Sequence, residues 1–208
     1  MSDIISQFKK IPTTCISDAM QGLNNLHPAI KPLKEQYTIS GRALTVKMPV
    51  GDNTAVLQAI RDAKHGDILV IDAKGDTYRA IAGDFVVGMA QTLGIGGIVV
   101  DGVIRDIAGI KELNFPVFSR GTTVSASAKA GAGEINVPIS CGGTAINPGD
   151  IIVGDVDGVV VIPQALEQDI LESALDKMEK DQQRSDEISG NRKAAIEYLD
   201  KILSKAKK

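Results

Sequence analysis

Asp84 and the adjacent pair Arg105-Asp106, with twenty residues between them, are the side chains whose types and spacing point most directly to chemistry. They stand at the edges of strongly apolar runs, in Gly83-Asp84-Phe85-Val86-Val87-Gly88 and Val100-Asp101-Gly102-Val103-Ile104-Arg105-Asp106. A folded chain clusters one cation and two carboxylates at such edges only at a site, where they supply a metal ligand, an anion clamp and a proton-handling group. Each residue also has a plainer reading. An Asp after Gly at a helix start complements the macrodipole, and Asp106 can cap a helix beginning at Ile107. The combination favours a site. Two successive strand-to-helix connections place charge beside backbone N–H donors, where open α/β sheets bind ligands.

The elements that position these residues follow from hydrophobic periodicity. Thr13-Thr14 can cap a short helix through Cys15–Met20 that ends near Gly22. Ala43–Met48 alternates as a strand, Asp52-Asn53 offers caps for a helix carrying Val56, Leu57, Ile60 and Ala63, and Asp67–Asp72 reads as a buried strand. A helix from Gly83-Asp84 to Gly94 and a strand over Gly97–Asp101 complete a βαβ rhythm. After a short helix to Leu113, strand-like pieces at Pro116–Phe118, Thr122–Ser125, Glu134–Val137, Asp150–Val153 and Gly158–Ile162 alternate with Gly-rich turns. A β-rich half is therefore expected to pack against an α/β half. From Gln164 the chain is helical and charged. Leu166, Ile170, Leu171, Leu175 and Met178 form one stripe, and a last helix beyond Gly190 bears Ile196, Leu199, Ile202 and Leu203.

Composition narrows the function classes. With 43% hydrophobic and 24% charged residues, the 208-residue chain can bury one core, so residues 1–163 read as one domain and 164–208 as a helical extension. Net charge is −3 without a dense Lys/Arg block, which argues against nucleic acid and for a small molecule or protein as partner. No apolar run approaches the roughly 20 residues of a membrane helix. The start MSDIISQFKK lacks a signal core, and Cys15 and Cys141 read as free thiols, so a cytoplasmic setting is expected.

Other motifs carry less. Gly94-Ile95-Gly96-Gly97 precedes a strand, whereas a dinucleotide loop follows one. His27 and His65 have no zinc spacing to each other or to cysteine and read as loop residues. Lys47 and Lys129 read as solvated lysines rather than Schiff-base formers.

Beyond these residues, the chain resembles the RraA-like family, which includes class II aldolases acting on 4-hydroxy-4-methyl-2-oxoglutarate and 4-carboxy-4-hydroxy-2-oxoadipate. The likeness runs from Thr13-Thr14-Cys15-Ile16-Ser17-Asp18-Ala19 through Gly41-Arg42-Ala43, Gly51-Asp52-Asn53 and the central segment to Gly154–Pro163. The central Asp, twenty residues, Arg-Asp pattern matches that family's catalytic signature in full. The resemblance implies an α/β fold, a three-layer α-β-β sandwich of the swivelling β/β/α type with a C-terminal helical extension. It also implies a homotrimer or dimer of trimers with active sites at subunit clefts.

Roles follow from the resemblance alone. Asp106 would hold a divalent metal, Mg²⁺ or Mn²⁺, and Arg105 would bind the 2-oxo acid. Backbone amides at Phe85 and Val86 would receive the pyruvyl carboxylate, while Asp84 would orient a water. A further acid would come from the C-terminal helices of a neighbouring subunit, with Glu179 the candidate and Asp181 and Glu172 its competitors. The expected reaction releases pyruvate from a 4-hydroxy-2-oxo acid through an enolate, with oxaloacetate decarboxylation at the same site. Arg42, Asn53 and residues near Arg120 are candidates for reading the distal half of the substrate. The alternative is a non-enzymatic regulator that binds ribonuclease E or another protein.

Overall fold

The computed structural model describes residues 3–131 and 133–205. In chain order the elements are α1 (Ile4–Phe8), α2 (Thr13–Ala19), β1 (Lys31–Pro32), β2 (Ile39–Lys47), α3 (Thr54–Asp62), β3 (Ile68–Ala80), α4 (Asp84–Thr92), β4 (Gly97–Ile104) and α5 (Ile107–Leu113). There follow β5 (Val117–Thr122), β6 (Glu134–Ile135), β7 (Ile139–Cys141), β8 (Thr144–Ile146), β9 (Ile151–Asp155), β10 (Gly158–Ile162), α6 (Glu167–Ile188) and α7 (Arg192–Lys205).

One sheet in the order β1-β5-β4-β3-β2-β9-β10 carries the molecule. β2, β3, β4 and β5 are parallel, and β1, β9 and β10 are antiparallel to their neighbours. The sheet curls until its two ends approach. Asn25, shortly before β1, bridges to Val160 of β10, and the Lys31 ammonium donates to the Asp157 carbonyl at 2.6 Å.

Strict alternation along the strands sorts side chains into layers. Ile68 and Val70 of β3 face the inside of the curl with Phe118, Ile152, Val159 and Val161. Leu69 and Ile71 face outward beneath α3, α4 and α5, together with Val46, Ile98, Val100 and Val117. On the far side Ile151, Val153, Val160 and Ile162 pack under α1, α2 and the first half of α6 through Phe8, Ile16, Ile170, Leu171 and Ala174. The expected helix layer over two β layers is present, with the inner faces of β2–β5 packed against those of β9, β10 and the β7–β8 pair. No helix among the described residues is long and apolar enough to cross a membrane.

Several expectations need correction. The α/β and β-rich stretches are not two halves, because β9 pairs with β2 and continues the same sheet. α2 starts at Thr13 behind Pro12 without a side-chain cap, and the Thr13 hydroxyl instead donates to Asp155 at 2.7 Å. Thr123–Ser125 lies outside any strand, and only Glu134–Ile135 of Glu134–Val137 pairs, with β2. β3 runs to Ala80 rather than ending at Asp72, kept in the sheet by register shifts against β4 that accommodate its polar second half.

Both cysteines are free and buried. Burial, reinforced by the nearby Asp101 and Asp72 carboxylates, pushes the Cys141 thiol well above its ordinary value. Because the folded state holds this proton more tightly than the unfolded chain, its contribution to stability is complete below about pH 8.5 and is lost as pH rises further. Urea unfolding between pH 7 and 10 is expected to show stability falling by up to about 1.4 kcal/mol per pH unit above that point. Cys141→Ala should flatten the slope; equal slopes in both proteins would show that the thiol does not govern it.

Candidate active site

β3 and β4 are adjacent and parallel, so the turns that follow them leave the same edge of the sheet side by side. α4 opens at Asp84 behind the extended Gly83, and α5 opens at Ile107 behind Asp106. The Ile81 N–H donates to the Val103 carbonyl at 2.9 Å and the Arg105 N–H to the Ala82 carbonyl at 3.0 Å, which stitches one turn to the other. The sequence pattern therefore brings Asp84, Arg105 and Asp106 to one place.

The two turns interlock through glycines. A Cβ at Gly83 would collide with Asp106 Oδ2 and lie 3.5 Å from Arg105 Cγ. Reciprocally, a Cβ at Gly109, in the first turn of α5, would fall 2.6 Å from Asp84 Oδ2 and 2.9 Å from Asp84 Cβ. Each carboxylate thus rests against backbone that has no side chain. Asp106 adopts the left-handed conformation (φ 57, ψ 42) at the N-cap of α5 yet makes no side-chain cap hydrogen bond. That backbone is unusual for a non-glycine residue and is tolerated best by Asp and Asn. Capping therefore does not account for it.

Arg105 Nε lies 3.2 Å from Asp106 Oδ2, with the two side chains 41% and 42% exposed. So open an ion pair adds little stability, and the remaining guanidinium N–H groups have no other partner among the described residues. Asp84 Oδ1 accepts the Phe85 N–H at 2.6 Å. For that amide to receive a substrate carboxylate, Asp84 has to release it. Beside the charged groups an open apolar cleft of about 900 Å³ runs between α4 and α5, lined by Phe85, Met89, Leu93 and Leu113 with Asp84 and Glu112 at its rim. Phe85, 76% exposed, stands over it.

Other candidates fall elsewhere. Arg42 is bonded through two nitrogens to Glu167 at the start of α6, hydrogen bonds that push its pKa up, so it is committed to holding that helix. Arg120 pairs with Asp101, whose other oxygen accepts the Gly142 N–H at 2.8 Å. The Arg42 guanidinium is taken up at both terminal nitrogens, whereas Arg120 is paired through Nε alone. Asn53 caps the Ile81 carbonyl at 3.1 Å and so lies next to the site. His27 and His65 are exposed, Lys129 is exposed, and Lys47 pairs with Glu134 at 2.8 Å. Glu179 is exposed on α6 beside Gln183, Glu172 binds Gln168, and Asp181 is held by Lys177 and Arg184. Within one chain α6 packs on α1 and α2, under the β9–β10 face, and does not reach Asp84.

The donor set fits a hard divalent ion. Among the described residues there is no group of three or more His, Cys, Asp or Glu side chains that could hold a metal. Mg²⁺ and Mn²⁺ are commonly held by one or two carboxylates, with water and substrate oxygens filling the other positions, and the exposed Asp106 carboxylate leaves room for them.

A mixed α/β chain with a nearly closed sheet and an anion-ready site at parallel strand ends defines the class, and comparison with known proteins gives the family. Residues 13–161 match the family model RraA-like: Aldolase/RraA, and the chain belongs to that family. It is 59% identical over 201 residues to a Halalkalibacterium halodurans protein named "Putative 4-hydroxy-4-methyl-2-oxoglutarate aldolase", covering 97% of this chain and 96% of that one. Among solved structures, an uncharacterized protein from Pseudomonas syringae pv. tomato superposes with TM-score 0.81 at 28% identity over 94% of this chain and 93% of its own. An unusual member of the RNase ES inhibitor RraA protein family from Streptomyces coelicolor gives 0.77 at 29% identity, covering 88% and 96%.

Sequence reasoning missed Gly109, whose signal was an isolated glycine inside a helical run. Gly→Ala in a helix ordinarily gains up to about 1 kcal/mol. Here the methyl meets Asp84, and Gly109→Ala is expected to destabilise by about 1–3 kcal/mol instead. In the Asp84→Gly background, which removes the Cβ as well as the carboxylate, the same change should regain its stabilising sign. Denaturant unfolding of the four proteins measures the cycle, and simple additivity would contradict the interlock.

Proposed function

We propose that this chain is a divalent-metal-dependent aldolase that cleaves a 4-hydroxy-2-oxo acid, such as 4-hydroxy-4-methyl-2-oxoglutarate, to pyruvate. The observation that carries the reading is Asp106, left-handed, uncapping and turned over Gly83 beside Arg105, whose terminal guanidinium nitrogens have no partner among the described residues. Asp106 would hold the ion, which supplies positive charge where the 2-oxo group becomes an enolate. Arg105 binds the 2-oxo acid and shares in stabilising that charge. Asp84, having released the Phe85 amide to the pyruvyl carboxylate, orients a water that takes the proton from the C4 hydroxyl. The C3–C4 bond then breaks, its electron pair passes into the pyruvate enolate, and a proton returned to C3 completes the product. Oxaloacetate loses CO₂ through the same enolate, so decarboxylation accompanies the aldolase activity.

The protein works as a homotrimer or dimer of trimers in this reading. A second copy covers the apolar cleft beside Phe85 and brings an acidic side chain from its C-terminal helices, with Glu179 the first candidate. A second reading is supported by the likeness to the RNase ES inhibitor family member, which fits a regulator that uses the same cleft to bind a protein.

Pyruvate release coupled to lactate dehydrogenase tests the choice. With Mg²⁺ or Mn²⁺ the wild-type protein is expected to turn over 4-hydroxy-4-methyl-2-oxoglutarate, and EDTA or Asp106→Ala to abolish turnover. Arg105→Ala should lower kcat/KM by about 100-fold or more. Activity that survives both EDTA and Asp106→Ala would remove the site model; no turnover by wild type would favour the regulator.

A further inference from the structure

Arg79 is a guanidinium at the same sheet edge for which neither the sequence pattern nor the proposed reaction has a use. It is the penultimate residue of β3, five positions before Asp84, on a strand end bonded to the turn that carries Arg105. Alternation puts it on the same face as Ile81, which belongs to the layer beneath α3 and α4. It therefore emerges at the rim where those two helices begin. Gly51 makes room for it, since a Cβ there would sit 2.7 Å from Arg79 Cδ and 3.1 Å from Cζ. Gly51 also has φ 79, so the cradle uses a backbone that other residues adopt only with strain.

The surroundings are rigid and polar. The Ala128 N–H donates to the Gly51 carbonyl at 2.7 Å, Asn53 N–H to Ala128 at 3.2 Å, Ala80 N–H to Ser125 at 2.8 Å and Ser127 N–H to Ala80 at 3.2 Å. Three segments are thus tied into one layer. In it Arg79 is exposed and has no hydrogen bond or ion pair among the described residues. Two further polar atoms of the layer, Asn53 Oδ1 and Ser127 Oγ, are buried without a partner among the described residues. An unpaired guanidinium, with its fork of planar donors, favours a carboxylate.

The geometry points to Arg79 as the residue that binds the distal carboxylate of a dicarboxylic 4-hydroxy-2-oxo acid, making the enzyme selective for diacids. This rests on the aldolase reading above and deepens it. Arg105 takes the pyruvyl end, and Arg79, at the neighbouring strand end, takes the carboxylate carried by C4. No bond changes at Arg79, so its effect is on binding and falls on KM before kcat.

The test compares 4-hydroxy-4-methyl-2-oxoglutarate with 4-hydroxy-4-methyl-2-oxopentanoate, in which a methyl replaces the distal carboxylate, using wild type, Arg79→Met and Arg79→Lys with Mg²⁺. Arg79→Met is expected to lower kcat/KM for the diacid on the order of 10- to 100-fold, mainly through KM, the factor that a hydrogen bond to a charged group supplies. The monoacid should change less than twofold, and Arg79→Lys should recover part of the loss. Equal losses on both substrates, or no loss on the diacid, would overturn the assignment while the aldolase reading stands. Absence of pyruvate from either substrate with wild-type protein would overturn both together. Unchanged thermal unfolding of Arg79→Met shows that the variant is folded.

Discussion

The close approach of two strand-to-helix turns, each resting its carboxylate on the other's glycine, is the contact on which the site depends. Gly83 lets Asp106 lie over the start of α4, and Gly109 lets Asp84 lie over the first turn of α5. The arrangement needs β3 and β4 to be immediate neighbours and parallel, since only then do their following turns leave one edge at one strand spacing. It also needs the turns in register, which the Ile81 to Val103 and Arg105 to Ala82 hydrogen bonds secure. A shift of one residue would reverse which side chains face the helices and separate the charges.

The sheet meets that demand by being buried on both faces. Ile68–Ile71 of β3 and Ile98–Val100 of β4 read as continuous apolar runs because α3, α4 and α5 cover one face and the curled remainder of the sheet fills the other. With no Trp and 3% aromatic residues, the interior is built mainly from aliphatic side chains, and Phe118 and Tyr37 are the rings buried inside the curl among the described residues. Small side chains permit the close approaches, Gly41 and Gly96 both lying against the Gly66 carbonyl. The strain of the left-handed Asp106 is therefore carried by a rigid scaffold rather than by a loop free to relax.

How much of this the amino-acid order reveals depends on how local each contact is. Asp84, Arg105 and Asp106 stand out because each interrupts an apolar run at a strand-to-helix boundary, a signal contained in a few residues. The βαβ elements were legible for the same reason. Arg42 was misplaced because its partner Glu167 lies 125 residues away, and a surface arginine near a strand looks alike whether paired or free. The second half of β3, Asp76-Thr77-Tyr78-Arg79, resembles a loop by composition and is a strand only because β4 holds it through two register shifts. Gly109 reads as a weak point in a helix until Asp84 is seen against it, and the minimal strands β7 and β8 have too few residues for alternation to show.

A single chain leaves the proposed chemistry half assembled. An enolate gains most from fixed charges where water is excluded, because the effective dielectric there is low. Here the Arg105 and Asp106 side chains are two-fifths exposed, so solvent would weaken their effect on developing charge. The same edge carries Phe85, exposed above an apolar cleft that runs along α4 to the exposed Leu93 at its far end. Exposed charges that need drying and an adjoining apolar surface that needs covering would both be met by one event, the seating of another protein surface across α4 and α5. If that surface is a second copy, catalysis and assembly become one equilibrium. Dilution would then lower activity without unfolding the chain, whereas a regulator using the cleft for a foreign protein would leave Arg105 and Asp106 spectators. The arrangement of the charges favours the first, since a docking surface needs neither a left-handed aspartate nor a glycine opposite each carboxylate.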